Sequence, residues 1–463
     1  MCKAGQEEAP LEDPRISRMY AAMIGRGANR ALGRFRKGTW LRSSVTWIVL
    51  LVMILFGVGV AVREKGRGRY TKLKSQLGAQ PSIAVARPVQ PGGEDPIVLS
   101  RAQQVGGVMP EFLSATLLPG RGMNVLQIMA YLPGKGEVPL LASPSLRDAA
   151  DAMTGLEDDV NGQASLAMGG AIEVPWANRV SGAALPGGMS LLANWHGRGL
   201  TLAVNSTEGE IAKAQNAGGR DTGVQSAMGG LLLKRAADQA AKTVMPDGGL
   251  AEATFDTGSF DGHWPSKTEV KTTVLLSGRS LDLTILARNI GTEPEPMGIG
   301  WRPRFAIPSG DRAQTTLSLP STVRTEMKDE LPTGKLLPVE GTTYDFSNRN
   351  GTPLGSSSLN ESFVHLKNGM LSSGPEIVFR NLASGYGMRM TVLSSSIKAI
   401  RVYAPPDQPF ILIDPQTNYD DPFGREWGKD EDPGLIVLEP GEGMQWKVRL
   451  ELFQISGQHS GPS

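Results

Sequence analysis

Groups able to move protons or pair with charge are sparse in this chain and fall into a few short runs. Residues 298–305 (GIGWRPRF) place Arg302 and Arg304 on either side of Pro303, so a regular strand there points both guanidiniums to one side. Two such groups suit bidentate pairing with an anion, or pairing with a local carboxylate such as Asp414 in residues 410–418 (FILIDPQTN). Residues 174–180 (VPWANRV) set Asn178 and Arg179 just after Trp176. The indoles of Trp176 and Trp301 serve either as core packing or as flat faces for a ligand. Imidazoles are the usual proton carriers near neutral pH, and the chain has only four histidines. His196, in a Trp-His-Gly run, reads as a turn residue; His365 shares a strand face with Phe363; His459 lies in a Gly/Ser-rich tail; His263 sits beside Trp264. No His-x-x-x-His pair or compact carboxylate cluster is present, so no metal is expected. Without a glycine-rich loop leading into Lys-Ser/Thr, no phosphate-bearing cofactor is expected either.

The elements that must position these residues are strands. Met444, Trp446, Val448, Leu450 and Leu452 alternate with Gln445, Lys447, Arg449 and Glu451, the period of a half-buried strand. Leu281, Leu283 and Ile285 alternate with Asp282 and Thr284, and the turn 277–280 (SGRS) makes them the second arm of a hairpin. Residues 397–403 and 410–413 form a further strand pair. Fifty-seven glycines and 32 prolines suit many turns. Helical period is sustained only in residues 231–244 and, more briefly, 145–153. Strands and helices do not alternate regularly, which favours an all-β chain built as a large antiparallel sandwich. Residues 207–222 and 349–358 read as polar loops.

Composition excludes some partners. Forty-seven basic against 46 acidic residues leave a net charge of +1, so no global field recruits nucleic acid. Cys2 is the single cysteine, which rules out an intrachain disulfide and any thiolate cluster. Residues 45–62 (VTWIVLLVMILFGVGVAV) carry no charge and span about 27 Å as a helix, the length of one transmembrane helix. Basic residues flank it on both sides, and Lys3, Arg15 and Arg18 tip the balance toward a cytoplasmic N-terminus with an extracytoplasmic (periplasmic) main domain. The expected organisation is a basic segment 1–44, a membrane anchor 45–62, a stem and linker 63–95, a β-domain 96–455 and a flexible tail 456–463.

Taken in order, residues 116–128 (TLLPGRGMNVLQI), 169–182 (GGAIEVPWANRVSG), 200–205, 226–233 (SAMGGLLL), 289–305, 344–346, 359–363 and 403–427 resemble successive segments of the aldose 1-epimerase (galactose mutarotase) family. The resemblance implies a galactose mutarotase-like supersandwich with a sugar-binding cleft. Mutarotation needs one group to protonate the ring oxygen and another to take the anomeric hydroxyl proton. The family uses two histidines and a glutamate for this.

Carried over by the resemblance, the first histidine falls on Gly229, the second on Arg302, a neighbouring tyrosine on Arg304, and the glutamate on Asp414. Glycine offers no proton, and arginine holds its own at any accessible pH. Asp414 is the remaining candidate base, shorter than glutamate by about 1.5 Å of reach. His263 is the best substitute acid. By the same resemblance Asn178, Arg179, Arg302, Gln416 and Asn418 would bind a carbohydrate, Trp176 or Trp301 would stack on a pyranose, and the arginines would favour an anionic sugar. Three readings stand at this point: a membrane-anchored carbohydrate-binding protein with epimerase activity weak or lost, an active epimerase using Asp414 as base, and a structural or partner-binding module without a sugar ligand.

Overall fold

The clearest alternating stretch becomes the longest strand. In the computed structural model, Gly443–Gln454 buries Met444, Trp446, Val448 and Leu450 on one face. The structure describes Leu51 and residues 89–455, except 103–106, 155–159, 206–223, 308–311, 329–330, 371 and 429–430. The chain divides into two units, Met1–Arg87 and Pro88–Ser463, and among the described residues the strands belong to the second.

Two large antiparallel sheets dominate the described residues. The 11-stranded sheet runs in the order Ile97–Ser100, Glu111–Leu118, Asn124–Leu132, Gly170–Glu173, Gly300–Ala306, Phe410–Gln416, Ala399–Ala404, Leu359–Val364, Val323–Lys328 and Leu331–Pro338, with Gly136–Pro139 paired to Asn124–Leu132. The nine-stranded sheet starts with Gln239–Met245 and Gly248–Gly258 and continues through Thr268–Leu276, Ser280–Asn289 and Gly443–Gln454. Its remaining strands are Tyr386–Val392, Glu376–Asn381, Thr315–Ser318 and Thr352–Pro353. Apolar residues of both sheets merge in one cluster: Ile172, Trp301, Phe305, Ile411 and Ile413 from the first, Val270, Val274, Leu283, Ile285 and Val448 from the second. Trp446 fastens the two layers, because its indole N–H donates to the Pro415 carbonyl at 3.1 Å. This is a β-sandwich, as the alternating sequence pattern leads one to expect.

Smaller elements complete it. A four-stranded sheet (Arg198–Ala203, Ser190–Trp195, Arg179–Ala184, Val224–Met228) and a two-stranded ribbon (Glu295–Met297, Ile436–Leu438) stand apart from the main sheets. The hairpin at 277–280 closes with Leu276 opposite Leu281. Leu146–Ala152 is helical, and the Ser145 hydroxyl accepts the Asp148 N–H as its N-cap. The helix expected over 231–244 does not form. Leu232–Lys234 makes one 3-10 turn, and Gln239–Met245 pairs with Gly248–Gly258. Its apolar spacing belongs to two different environments: Leu232 and Leu233 are buried, whereas Gln239–Met245 is exposed along its whole length at the sheet edge. There Lys242 donates its ammonium to the Val98 carbonyl of the other sheet's end strand at 2.6 Å. The expected membrane span 45–62 lies outside the described residues apart from Leu51, and among the described residues no helix is long and apolar enough to cross a membrane.

Glu295 in the ribbon is fully buried and accepts one hydrogen bond, from the Thr268 hydroxyl at 2.8 Å. Burial pushes its pKa up to about 7, against the partial offset of that bond. The folded state therefore holds a proton that the unfolded chain releases in the ordinary carboxylate range. Its stabilising contribution is complete at low pH and is lost as pH rises toward 7. Glu295→Gln is expected to flatten this part of the stability–pH profile, measured by urea denaturation between acid and neutral pH.

Candidate functional site

Strand alternation sorts the candidate residues onto one face of the 11-stranded sheet. In Gly300–Ala306, Trp301 and Phe305 enter the hydrophobic cluster, so Gly300, Arg302 and Arg304 face the other way. In Phe410–Gln416, Ile411 and Ile413 take the core side and leave Asp414 and Gln416 opposite. Register then lines these residues up. Gly300 pairs with both Glu173 and Gln416, and Arg304 pairs with Leu412, so Arg302 falls across from Asp414. Asp414 pairs in turn with Arg401, and Arg401 with Ser362. Directly opposed residues of antiparallel strands share a face. The result is a row of charge and amide groups crossing five strands.

The row is buried almost completely. Glu173, Asp414 and Gln416 expose nothing, and Arg302 and Arg401 expose 3%. Arg302 Nη1 lies 4.0 Å from Asp414 Oδ2, and Gln416 Nε2 donates to that same oxygen at 2.9 Å. Glu173 and Asp414 meet over Gly300, where a Cβ would stand 2.8 Å from Glu173 Oε2 and 3.2 Å from Asp414 Oδ1. Burial raises the pKa of both carboxyls, and the neighbouring Glu173 drives Asp414 further, well above the usual range; Arg302 pulls each back in part. With both carboxylates ionised, Glu173 Oε1, Asp414 Oδ1, Gln416 Oε1, Asn178 Oδ1 and Arg302 Nε and Nη1 have no hydrogen-bond partner.

Two segments cover the row. Asn178, held at φ 55°, donates its backbone N–H to Glu173 Oε2 at 3.0 Å and its side-chain amide to Asp420 Oδ1. Asp420 also receives Arg401 Nη1 at 2.9 Å and the Ser362 hydroxyl at 2.5 Å. Asn418 clasps Ala177 from both sides, accepting its N–H at 3.0 Å and donating to its carbonyl at 2.9 Å. Asp421 Oδ1 takes the Ser181 N–H at 2.8 Å, and the Asp421 N–H goes to the Arg179 carbonyl at 2.9 Å. Residues 174–178 and 417–421 are thereby tied to each other and to the sheet.

Of the expected site residues, the structure brings Asn178, Arg302, Asp414, Gln416 and Asn418 together, with Arg179 at their edge. The two tryptophans are occupied by the core instead. Trp176 stacks on Trp264 with ring centroids 5.5 Å apart, and Trp301 bonds the Gly170 carbonyl and meets Phe305 edge-on. His263 stands elsewhere, its Nδ1 2.7 Å from the Thr201 carbonyl in the four-stranded sheet. Gly229, at φ 70°, has no room for a side chain: a Cβ would lie 2.5 Å from Leu166 Cδ2 and 3.1 Å from Glu173 Oε1. Glu173, Arg401 and Asp420 escaped the sequence reading. A lone carboxylate inside the apolar run GAIEVPW was the available signal for Glu173. For Arg401 and Asp420 only register supplies one.

Comparison with known proteins follows the same lines. Residues 243–451 match the aldose 1-epimerase family model. A galactose mutarotase-like protein from Clostridium acetobutylicum superposes with a TM-score of 0.59 at 16% identity, covering 77% of this chain and 98% of its own. An Escherichia coli K12 protein described as a putative aldose 1-epimerase gives 0.53 at 17% identity, over 78% and 100%. A GalM/aldose epimerase homologue from C. elegans gives 0.53 at 15% identity, over 74% and 96%. No curated relative matches the chain. The chain resembles the aldose 1-epimerase family, and it shares the galactose mutarotase fold. The matched span holds Arg302 and Asp414 but begins after Glu173, Asn178 and Gly229.

Gly300 tests the tightness of the site. A Cβ added there would stand 2.7 Å from the Ala177 methyl. Gly300→Ala is expected to lower stability by about 1–3 kcal/mol through overpacking between the 174–178 segment and the carboxylates, read from the urea midpoint.

Proposed function

We propose that this protein is an aldose 1-epimerase-like carbohydrate-binding protein whose epimerase activity is weak or lost. One observation carries the reading: buried polar atoms without partners gather between one sheet face and the segment that covers it. Arg302 contributes donors, and Gln416 and Asn178 contribute acceptors, beside the Glu173–Asp414 carboxyls. A polyhydroxyl ligand presents both hydroxyl donors and oxygen lone pairs, so it complements such a mixture. Arg302 Nε and Nη1 are the donors that the oxygens of such a ligand would meet. Loss of catalysis is supported by the chemistry of the same positions. Gly229 has no proton to give, Arg302 retains its own, and the ring of His263 is engaged with Thr201.

The complete burial of Asn178, Asp414, Gln416 and Asn418 favours a second reading, a sandwich module that binds no sugar. We further propose that residues 45–62 anchor the chain in a membrane and that the sandwich lies on the extracytoplasmic side. The uncharged run and the basic residues around it support this.

Exchange between sugar anomers, followed by NMR on detergent-purified protein, is expected to proceed no faster than in buffer. Thermal unfolding in the presence of neutral and anionic monosaccharides should show a ligand-dependent rise in Tm. Acceleration abolished by Asp414→Asn would instead establish an active epimerase. Absence of any shift across both sugar classes would leave the module reading.

A further inference from the structure

The charges beneath the covering segments do not balance unless a proton is present. Facing the Glu173–Asp414 pair are Arg302 from Gly300–Ala306 and Arg401 from Ala399–Ala404, together with the neutral amides of Gln416 and Asn178. Arg401 has its own counter-ion, Asp420, at 2.9 Å. That leaves two carboxylates against one guanidinium in a place without water contact. An unpaired carboxylate so deeply buried takes up a proton rather than keep its charge. One proton brings the trio to neutrality. It also supplies a donor where Glu173 Oε1 and Asp414 Oδ1 otherwise have none.

The position of the pair gives that proton a mechanical role. Glu173 Oε2 accepts the Asn178 N–H, Asn178 reaches on to Asp420, and Asp414 begins the stretch that continues into Asn418 and its clasp on Ala177. Residues 174–178 are thus moored on the Glu173 carboxyl, and residues 417–421 are tied to them through Asn178–Asp420 and Asn418–Ala177. We propose that Glu173 and Asp414 hold a single proton between them, and that this proton latches residues 174–178 and 417–421 over Arg302. Removing it leaves two like charges face to face. Water must then enter to relieve them, and it enters by displacing the mooring contacts. The inference concerns the same face as the carbohydrate reading but holds whether or not a sugar binds there.

The sign follows from the raised proton affinity of the folded pair. Stability contributed by the pair is complete below about pH 4, where unfolded carboxyls are also protonated. It declines as pH climbs from there toward the pair's raised pKa, and the latch itself opens as pH passes that value.

The test uses the full chain in detergent, with Glu173→Gln and Asp414→Asn. Infrared spectra at neutral pH are expected to show a carboxylic-acid carbonyl band in the unaltered protein that both variants lose; Glu295 contributes equally to all three. Hydrogen exchange, corrected for its intrinsic pH dependence, should rise in residues 170–178 and 414–421 as the unaltered protein is taken to alkaline pH. In E173Q the same segments should stay protected. Equal carbonyl bands in all three proteins would overturn the proposal, as would E173Q following the unaltered protein. If neither variant folds, a flat exchange profile of the unaltered protein across the alkaline range does so alone.

Discussion

Putting ionic groups on a sheet face that water does not reach is the constraint around which this molecule is organised. Antiparallel register sets Arg302 against Asp414 and Asp414 against Arg401, so charges of opposite sign become neighbours by pairing geometry alone. Such neighbours are needed because a desolvated ion without a counter-charge costs several kcal/mol. Gly300 is the aperture that lets the two carboxyls approach each other, and Asp420 is brought in from beyond the strand to neutralise Arg401. The covering segments are as much a product of this electrostatic requirement as of their own turn chemistry.

The same strands keep the molecule's packing and its buried charge on opposite sides. The apolar residues that hold the sandwich together point to the opposite side of the same strands, in the cluster of Trp301, Phe305, Ile411 and Ile413. The guanidinium at position 302 points away from that packing, so its charge is set independently of the core. What must accompany it is counter-charge, and Glu173 and Asp414 supply more of it than one arginine needs.

Much of the architecture was legible before any coordinates. The alternation at 444–452, the hairpin at 277–280 and the capped helix after Ser145 all follow from local period and turn residues. Residues 231–244 misled because a turn of buried leucines and an exposed strand happen to share a helical spacing; only the strand partner at Gly248–Gly258 tells them apart. At the site, Asp414 and Arg302 stand out because charge is conspicuous within apolar strands. Arg401 and Asp420 do not, since their importance arises from pairing across strands distant in sequence. The tryptophans could be read either as platforms or as core, and the indole N–H bonds to Ala227 and Gly170 decide for the core.

At the far rim of the sandwich, Gln239–Met245 offers a backbone edge to any passing strand, with no side chain buried to hold it back. Lys242 guards it. Its ammonium reaches over to the Val98 carbonyl and so closes the mouth between the end strands of both layers. A foreign strand docking there would have to detach that ammonium and desolvate it, which steers the molecule away from rim-to-rim polymerisation.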